Sequence, residues 1–160
     1  MDKQERFLEL FDPCREKLWR FIISFINNRV DAEDVMAETV LLAYENFRKV
    51  REDKAFLSWL FTVARRLIYR RTRFNKKIDG SKELSADDIA NNDYGPEKIN
   101  ELNELNEALD KLPKKQKEAL ILTAIQGFSY EEAADIQSSG TETVRKRVYR
   151  AKQKLKNLLD

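Results

Sequence analysis

The 160-residue sequence has one cysteine, no histidine, four glycines, three prolines and a formal net charge of only +2. Each scarcity removes a class of chemistry. Cys14 alone forms no intramolecular disulfide, and without histidine there is neither a Cys/His zinc site nor a histidine-based catalytic triad. A lone thiol fits a reducing, cytoplasmic setting. The apolar segment from Leu18 to Ile26 is interrupted by Arg20 and falls short of the roughly 20 residues a membrane span requires, so no membrane insertion is expected. No N-terminal secretion signal and no C-terminal sensory extension are expected either. Carboxylates are plentiful, but no paired acid and base and no phosphate-binding glycine loop stands out. An enzyme is therefore the least expected class, with no catalytic residue, metal or cofactor assigned.

What is present is 42% apolar residues, enough for real cores, and 36% charged residues. Pro13, Gly80, Gly95, Pro96, Pro113, Gly127 and Gly140 all stand where a helical chain needs punctuation. Sustained period-two alternation is absent, so the fold is expected to be all-α. Helices are expected near Lys3 to Phe11, Arg15 to Asn27, Ala32 to Arg48 and Ala55 to Phe74, forming a first domain over residues 1–76. A polar stretch with two glycines, 77–96, suits a flexible linker. Helices near Glu97 to Lys111 and Lys114 to Gln126 open a second domain, 97–160, with Pro113 at a helix start and Gly127 at its end.

The segment from Ser129 to Lys156, SYEEAADIQSSGTETVRKRVYRAKQKLK, has the outline of a helix-turn-helix. Ser129 and Glu132 are spaced as a capping box before a short helix from Glu131 to Ile136. Ser138, Ser139 and Gly140 make the turn, Gly140 being able to take a left-handed conformation, and Thr141 is placed to cap the next helix. Val144, Val148, Ala151, Leu155 and Leu158 or Leu159 recur at helical spacing as a core stripe, while Arg145, Lys146, Arg147, Arg150, Lys152, Lys154 and Lys156 lie mostly outside it. With so small a net charge, attraction to nucleic acid must come from segregated rather than total charge. A second basic run, from Arg65 to Lys77, contains no acidic residue and is interleaved with Tyr69 and Phe74, whereas acid concentrates around Asp31 to Glu38.

In DAEDVMAETVLLAYENF, Val35, Thr39, Val40, Ala43, Tyr44 and Phe47 share one helix face, leaving Asp31, Glu33, Asp34 and Glu38 clustered near the helix start. Asp31 as a cap and carboxylates complementing the helix dipole account for such a cluster without any partner. The next helix, KAFLSWLFTVARRLIYRRTRF, begins apolar and ends basic, and arginines alternating with aromatics can hold phosphates while stacking unpaired bases. Trp59 fits a core role equally well, with Leu60, Val63, Ala64 and Leu67 close to it in the helix.

Taken together and in order, these segments resemble the extracytoplasmic-function (ECF) sigma factors of the sigma-70 family, which direct bacterial RNA polymerase to promoters. The resemblance covers nearly the whole chain. DAEDVMAETVLLAYENF is similar to the family's polymerase-binding helix and FLSWLFTVARRLIYRRTR to its minus-10 helix. LPKKQKEALILTAIQGFSYEEAADIQSSGTETVRKRVYRAKQKL is similar to its minus-35 domain. The resemblance implies a region 2-like helical bundle joined by a linker to a region 4-like helix-turn-helix. It implies that Asp31, Glu33, Asp34 and Glu38 contact the coiled coil of the polymerase's largest subunit. Trp59, Arg65, Arg66, Tyr69, Arg70 and Arg73, with the loop around Arg48 to Lys54, would capture the minus-10 strand. Thr141, Glu142, Thr143, Arg145, Lys146, Arg147 and Arg150 would lie in or beside the minus-35 major groove. An anti-sigma factor or another regulatory or DNA-targeting protein is an expected partner, beside core polymerase and promoter DNA. The linker would thread toward the polymerase's active centre.

The chain departs from the family's usual pattern in places. Arg66 and Arg70 stand where the family usually has asparagine and aspartate, and added positive charge favours phosphate contacts that carry no sequence information. Glu142 replaces the usual glycine before Thr-Val, and Arg145-Lys146 the common Lys-Ser. Two further readings stay open from the residues alone: a sigma-like recruiter delivered to DNA by a dedicated targeting partner, and a helix-turn-helix regulator that dimerises on a palindromic site.

Overall fold

Asp2 starts the first helix by accepting a 2.8 Å hydrogen bond from the Glu5 N–H. From there the computed structural model describes residues 2–50, 52–78 and 104–159. Every regular element among them is helical. The chain divides into two units, Met1–Glu83 and Leu84–Asp160. The expected linker lies outside the described residues from 79 onward, as does the expected helix from Glu97 up to residue 103.

In the first unit α1 (Lys3–Phe11) leads through a 3-10 turn at Asp12–Cys14 into α2 (Arg15–Ile23), which stops short of the expected Asn27. The next helix, α3 (Arg29–Glu45), begins before Ala32 because Asn28, not Asp31, is its cap: the Asn28 side chain accepts from the Asp31 N–H at 3.1 Å. Asp31 is thereby released from capping. Helix α4 (Phe56–Ile78) runs beyond the expected end at Phe74.

The core follows the apolar stripes. Ala32, Val35, Thr39 and Ala43 of α3 are buried, and so are Leu60, Ala64, Leu67 and Ile68 of α4, where the two helices pack. Thr39 tolerates this burial because its hydroxyl donates to the Val35 carbonyl at 2.7 Å. Phe7 joins α1 to this core, edge-on to Tyr44, Phe47 and Phe56 with ring centroids 5.3–5.9 Å apart. Cys14 is half-buried, and desolvation, opposed by the nearby Lys17 charge, pushes its thiol pKa up. That disfavours the reactive thiolate.

The second unit begins with α5 (residues 104–110). Pro113 caps rather than opens α6 (Lys114–Leu120), its ψ of 140° being extended. The buried Lys117 ammonium donates to Asp110 at 2.7 Å and ties α6 to α5. A π-helical turn at Ile121–Ile125 then adds a residue to the coil, the Gln126 N–H donating to the Ile121 carbonyl at 2.8 Å. Gly127 takes the positive φ, 81°, that ends the helix.

The expected capping box opens α7 (Tyr130–Gln137): Glu132 N–H donates to the Ser129 hydroxyl and Ser129 N–H to the Glu132 carboxylate, both at 3.0 Å. The turn differs from expectation. Ser138, not Gly140, is left-handed, at φ 52° and ψ 47°, and the Ser139 N–H reaches back to Ala134 at 2.9 Å as in a Schellman ending. Gly140 supplies the first carbonyl of α8 (Thr141–Leu159), accepting from Val144 N–H at 3.2 Å, so Thr141 is the first helical residue instead of the cap. Val144, Val148 and Ala151 are buried against α6 and α7 as the stripe requires. The stripe then fades: Leu155 is half-buried and Leu158 and Leu159 are exposed.

A non-glycine residue in the left-handed region is strained, and relief of that strain exceeds the extra chain entropy glycine loses. Ser138→Gly is therefore expected to stabilise the second unit by about 0.5–1 kcal/mol. Urea unfolding of the two proteins measures it; an unchanged or lower midpoint would contradict it.

Candidate nucleic-acid interface

Asp31, Asp34 and Glu38 are spaced along one side of α3, at the edge of its packing with α4. Their carboxylates converge on Arg71, whose guanidinium lies 3.6 Å from Asp31, 3.6 Å from Asp34 and 3.8 Å from Glu38. Arg71 is largely covered, while Asp34 and Glu38 have more than half of their side-chain surface in solvent. Glu33, expected in the same group, instead pairs within α3, accepting from Arg29 Nε at 3.0 Å. Arg71 was not among the expected site residues. It stood in the basic run, and the α3–α4 crossing is what turns it to the acid.

The other α4 residues divide by helix phase. Arg66, Arg70 and Arg73 are exposed and spaced four and three residues apart, which aligns them as one basic stripe. Arg65 is half-buried, its guanidinium 4.6 Å from the centre of the Tyr69 ring. Trp59 is half-buried, tilted against Phe56 at 6.2 Å between ring centroids. It is neither a full core residue nor a free stacking platform. Arg6 supports the loop before α4 through a 2.7 Å ion pair with Asp53.

On α8, Glu142, Thr143, Arg145, Lys146 and Arg150 are exposed and Thr141 is half-buried. Arg145 is held between Glu142, 3.5 Å from its Nε, and the ring of Tyr130, 5.2 Å from its Cζ. Tyr130 and the 66%-exposed Tyr149 add aromatic surface to this face, and neither was expected there. Arg147 has a different setting. Its guanidinium donates to the Gln137 side-chain oxygen at 3.1 Å and to the Ser139 hydroxyl at 2.9 Å. Gln137 in turn donates to the Glu118 carboxylate at 2.7 Å and the Lys115 carbonyl at 3.1 Å. Glu118 and Gln137 are almost fully buried, so Arg147 is built into the turn and clamps α7, α8 and α6. The signal in sequence was the polar pair Gln137 and Ser139 at positions where a helix-turn-helix needs filling.

Among the described residues there is no group of His, Cys, Asp and Glu arranged to hold a metal and no helix long and apolar enough to cross a membrane. Fold and charge define a helical protein with a helix-turn-helix in one unit and, in the other, an acidic helix beside a basic one. Residues 10–78 match the family model for sigma-70 region 2, and residues 102–155 that for sigma-70 region 4. The chain is 37% identical over 145 residues to the ECF RNA polymerase sigma factor EcfG of Rhodopseudomonas palustris, covering 87% of this chain and 77% of that protein. It is 32% identical over 148 residues to the sigma factor CnrH of Cupriavidus metallidurans, covering 86% and 78%. The solved Bartonella quintana sigma factor RpoE, crystallised with the anti-sigma factor NepR, aligns over 97% of both chains at 27% identity with a TM-score of 0.80. The chain belongs to the ECF sigma factors of the sigma-70 family.

The clamp and the exposed arginine separate two roles. Arg147→Ala is expected to destabilise the second unit by about 1–3 kcal/mol, the scale of losing hydrogen bonds to a charged group. Arg145→Ala should change stability by no more than about 0.5 kcal/mol, as for surface substitutions generally. Urea unfolding distinguishes them, and equal losses would contradict the division.

Proposed function

We propose that this sigma factor binds core RNA polymerase through α3 and reads promoter DNA with α4 and the first turns of α8. The observation that carries the reading is the segregation of charge: acid on α3, an exposed arginine stripe on α4, and an arginine–glutamate pair braced by Tyr130 at the start of α8. Asp34 and Glu38, with Asp31 and Glu33 beside them, meet the coiled coil of the polymerase. Arg66, Arg70 and Arg73 track the phosphates of the minus-10 strand, with Arg65, Tyr69 and Trp59 on the adjoining surface. Glu142 and Arg145 address base edges of the minus-35 element, where arginine binds guanine bidentately and a carboxylate accepts from cytosine. Thr141, Thr143, Lys146 and Arg150 flank them, and Arg147 serves by fixing the angle of α8.

Region 2 over 1–76 and region 4 over 97–160 act as separate modules on a linker. The protein itself performs no covalent chemistry and works in the cytoplasm. The Bartonella relative's complex with an anti-sigma factor supports a comparable inhibitory partner here.

Run-off transcription with purified core polymerase on a genomic fragment library tests the whole reading. Transcript starts that share two spaced upstream motifs are the expected result. Core binding without a shared motif would indicate a targeting partner instead, consistent with the phosphate-directed Arg66 and Arg70. Absence of core binding would overturn the proposal.

Two substitutions test the parts. Asp34→Lys combined with Glu38→Lys should weaken core binding while leaving the helical circular dichroism signal intact; unchanged affinity would remove α3 from the interface. Arg145→Ala should cost about 1–3 kcal/mol on the preferred minus-35 sequence and little on a scrambled one. An equal small loss on both sequences would make Arg145 a phosphate contact.

A further inference from the structure

Arg6 and Phe7, adjacent in α1, reach both ends of the loop between α3 and α4. The Phe7 ring stands edge-on to Phe47, where the chain leaves α3, and to Phe56, where α4 begins, with ring centroids 5.4 and 5.9 Å away. Phe47 and Phe56 meet each other at 5.8 Å, and burial of all three rings closes the base of the loop. Arg6 bridges the same two ends. Its Cζ lies 4.8 Å from the centre of the Phe47 ring, and its Nη2 donates to Asp53 Oδ1 at 2.7 Å, as in a direct charge-assisted hydrogen bond. Lys3 sits 4.3 Å over the Tyr44 ring, so the helix that carries Arg6 is itself fastened to α3. Within the loop Val50 is buried, while Arg48 and Lys49 are exposed.

We propose that Arg6 is a positioning residue for base selection: by tying Asp53 to α1 beside Phe47, it fixes the shape of the loop without touching DNA itself. This rests on the expected capture of the minus-10 strand by α4 together with the loop from Arg48 to Lys54. The loop carries Arg48, Lys49, Arg51 and Lys54 against Glu52 and Asp53. Cationic side chains attract phosphate in almost any loop conformation, and that attraction carries no sequence information. Telling one base from another needs donors and acceptors at fixed distances. A loosened loop therefore keeps much of its affinity and loses discrimination, whereas a braced one presents a single shape already ordered before the strand arrives. The same pair engages the Asp53 carboxylate, which would otherwise repel phosphate.

Two variants that remove opposite charges test this. Arg6→Gln removes a cation and Asp53→Asn an anion, so a pure field effect on strand binding has opposite signs in the two. Holoenzymes of core polymerase with each full-length chain are compared by run-off transcription on the genomic fragment library. Selectivity is read at each motif as the ratio of starts at matched and mismatched sites. At the minus-10 motif it should fall by roughly two- to fivefold in both variants, the scale of one exposed ion pair. It should fall no further in the double variant, because both substitutions remove one shared contact. Selectivity at the minus-35 motif should stay unchanged. Opposite effects in the two variants, or equal losses at both motifs, would overturn the inference.

Brief trypsin digestion of the free full chain, mapped by mass spectrometry, reads the loop directly. Cutting follows the population of the opened form when closing outpaces cleavage. Cleavage between Arg48 and Lys54 should rise by roughly the same two- to fivefold in Arg6→Gln and in Asp53→Asn. Arg6→Lys, which keeps the charge, should remain near wild type in both measurements. Unchanged loop cleavage, or a rise spread over the whole unit, would overturn the brace. Should the wild-type chain yield no minus-10 motif, strand capture fails and this role with it; should Arg6→Gln leave a wild-type motif intact, only the role of Arg6 fails.

Discussion

The contact of α3 with α4 constrains the first unit more than any other. Both helices carry a buried stripe, and the α3 stripe includes two alanines and a threonine, which let the backbones approach closely. Once those stripes meet, the polar margins have no freedom. Asp31, Asp34 and Glu38 fall opposite α4, and the arginine on the near edge of α4 must face them. Arg66, Arg70 and Arg73 are carried round to solvent, while Arg65 stays half-buried against Tyr69. Two binding faces of opposite sign thus arise from one apolar seam, at a net charge close to zero for the whole chain. Leaving either charge uncompensated beside the seam would cost desolvation energy, so the pairing is part of the packing.

The second unit solves the same problem differently. A helix-turn-helix must hold its reading helix at a fixed angle, and apolar filling of the turn is the common physical means of doing so. Here Gln137, Ser139, Arg147 and Glu118 form a hydrogen-bonded chain at that place, with Ser138 left-handed beside it. A polar network of this kind is stable only when nearly every member is satisfied, which makes the angle of α8 specific as well as stable. The exposed face of α8 is then free to carry Glu142 and Arg145, whose geometry is set from outside the helix by Tyr130.

Much of this was legible in the order of residues. Helix existence, the capping box at Ser129 and Glu132, the glycine ending at Gly127 and the core role of Val144, Val148 and Ala151 all depend on residues within a few positions of one another, where backbone geometry is local. So is the separation of acidic and basic segments. Errors fell where two local solutions compete: Asn28 or Asp31 as a cap, Ser138 or Gly140 as the left-handed residue, Thr141 as cap or first turn. The outcome in each case depends on where the following helix must enter its packing, which a short window of sequence does not contain.

The roles of individual charges divide along the same line. Sequence by itself determined the all-helical class, the punctuation and which helices are acidic or basic, because helical periodicity and capping act over one or two turns. Tertiary structure alone decided that Arg71 is held by acid while Arg70 is exposed, and that Arg147 clamps a turn while Arg145 stands on the surface. Adjacent arginines are chemically identical, and a rotation of about 100° per residue sends them to different surroundings. Which surroundings those are depends on groups 10 to 40 residues away, brought close only when the apolar faces meet.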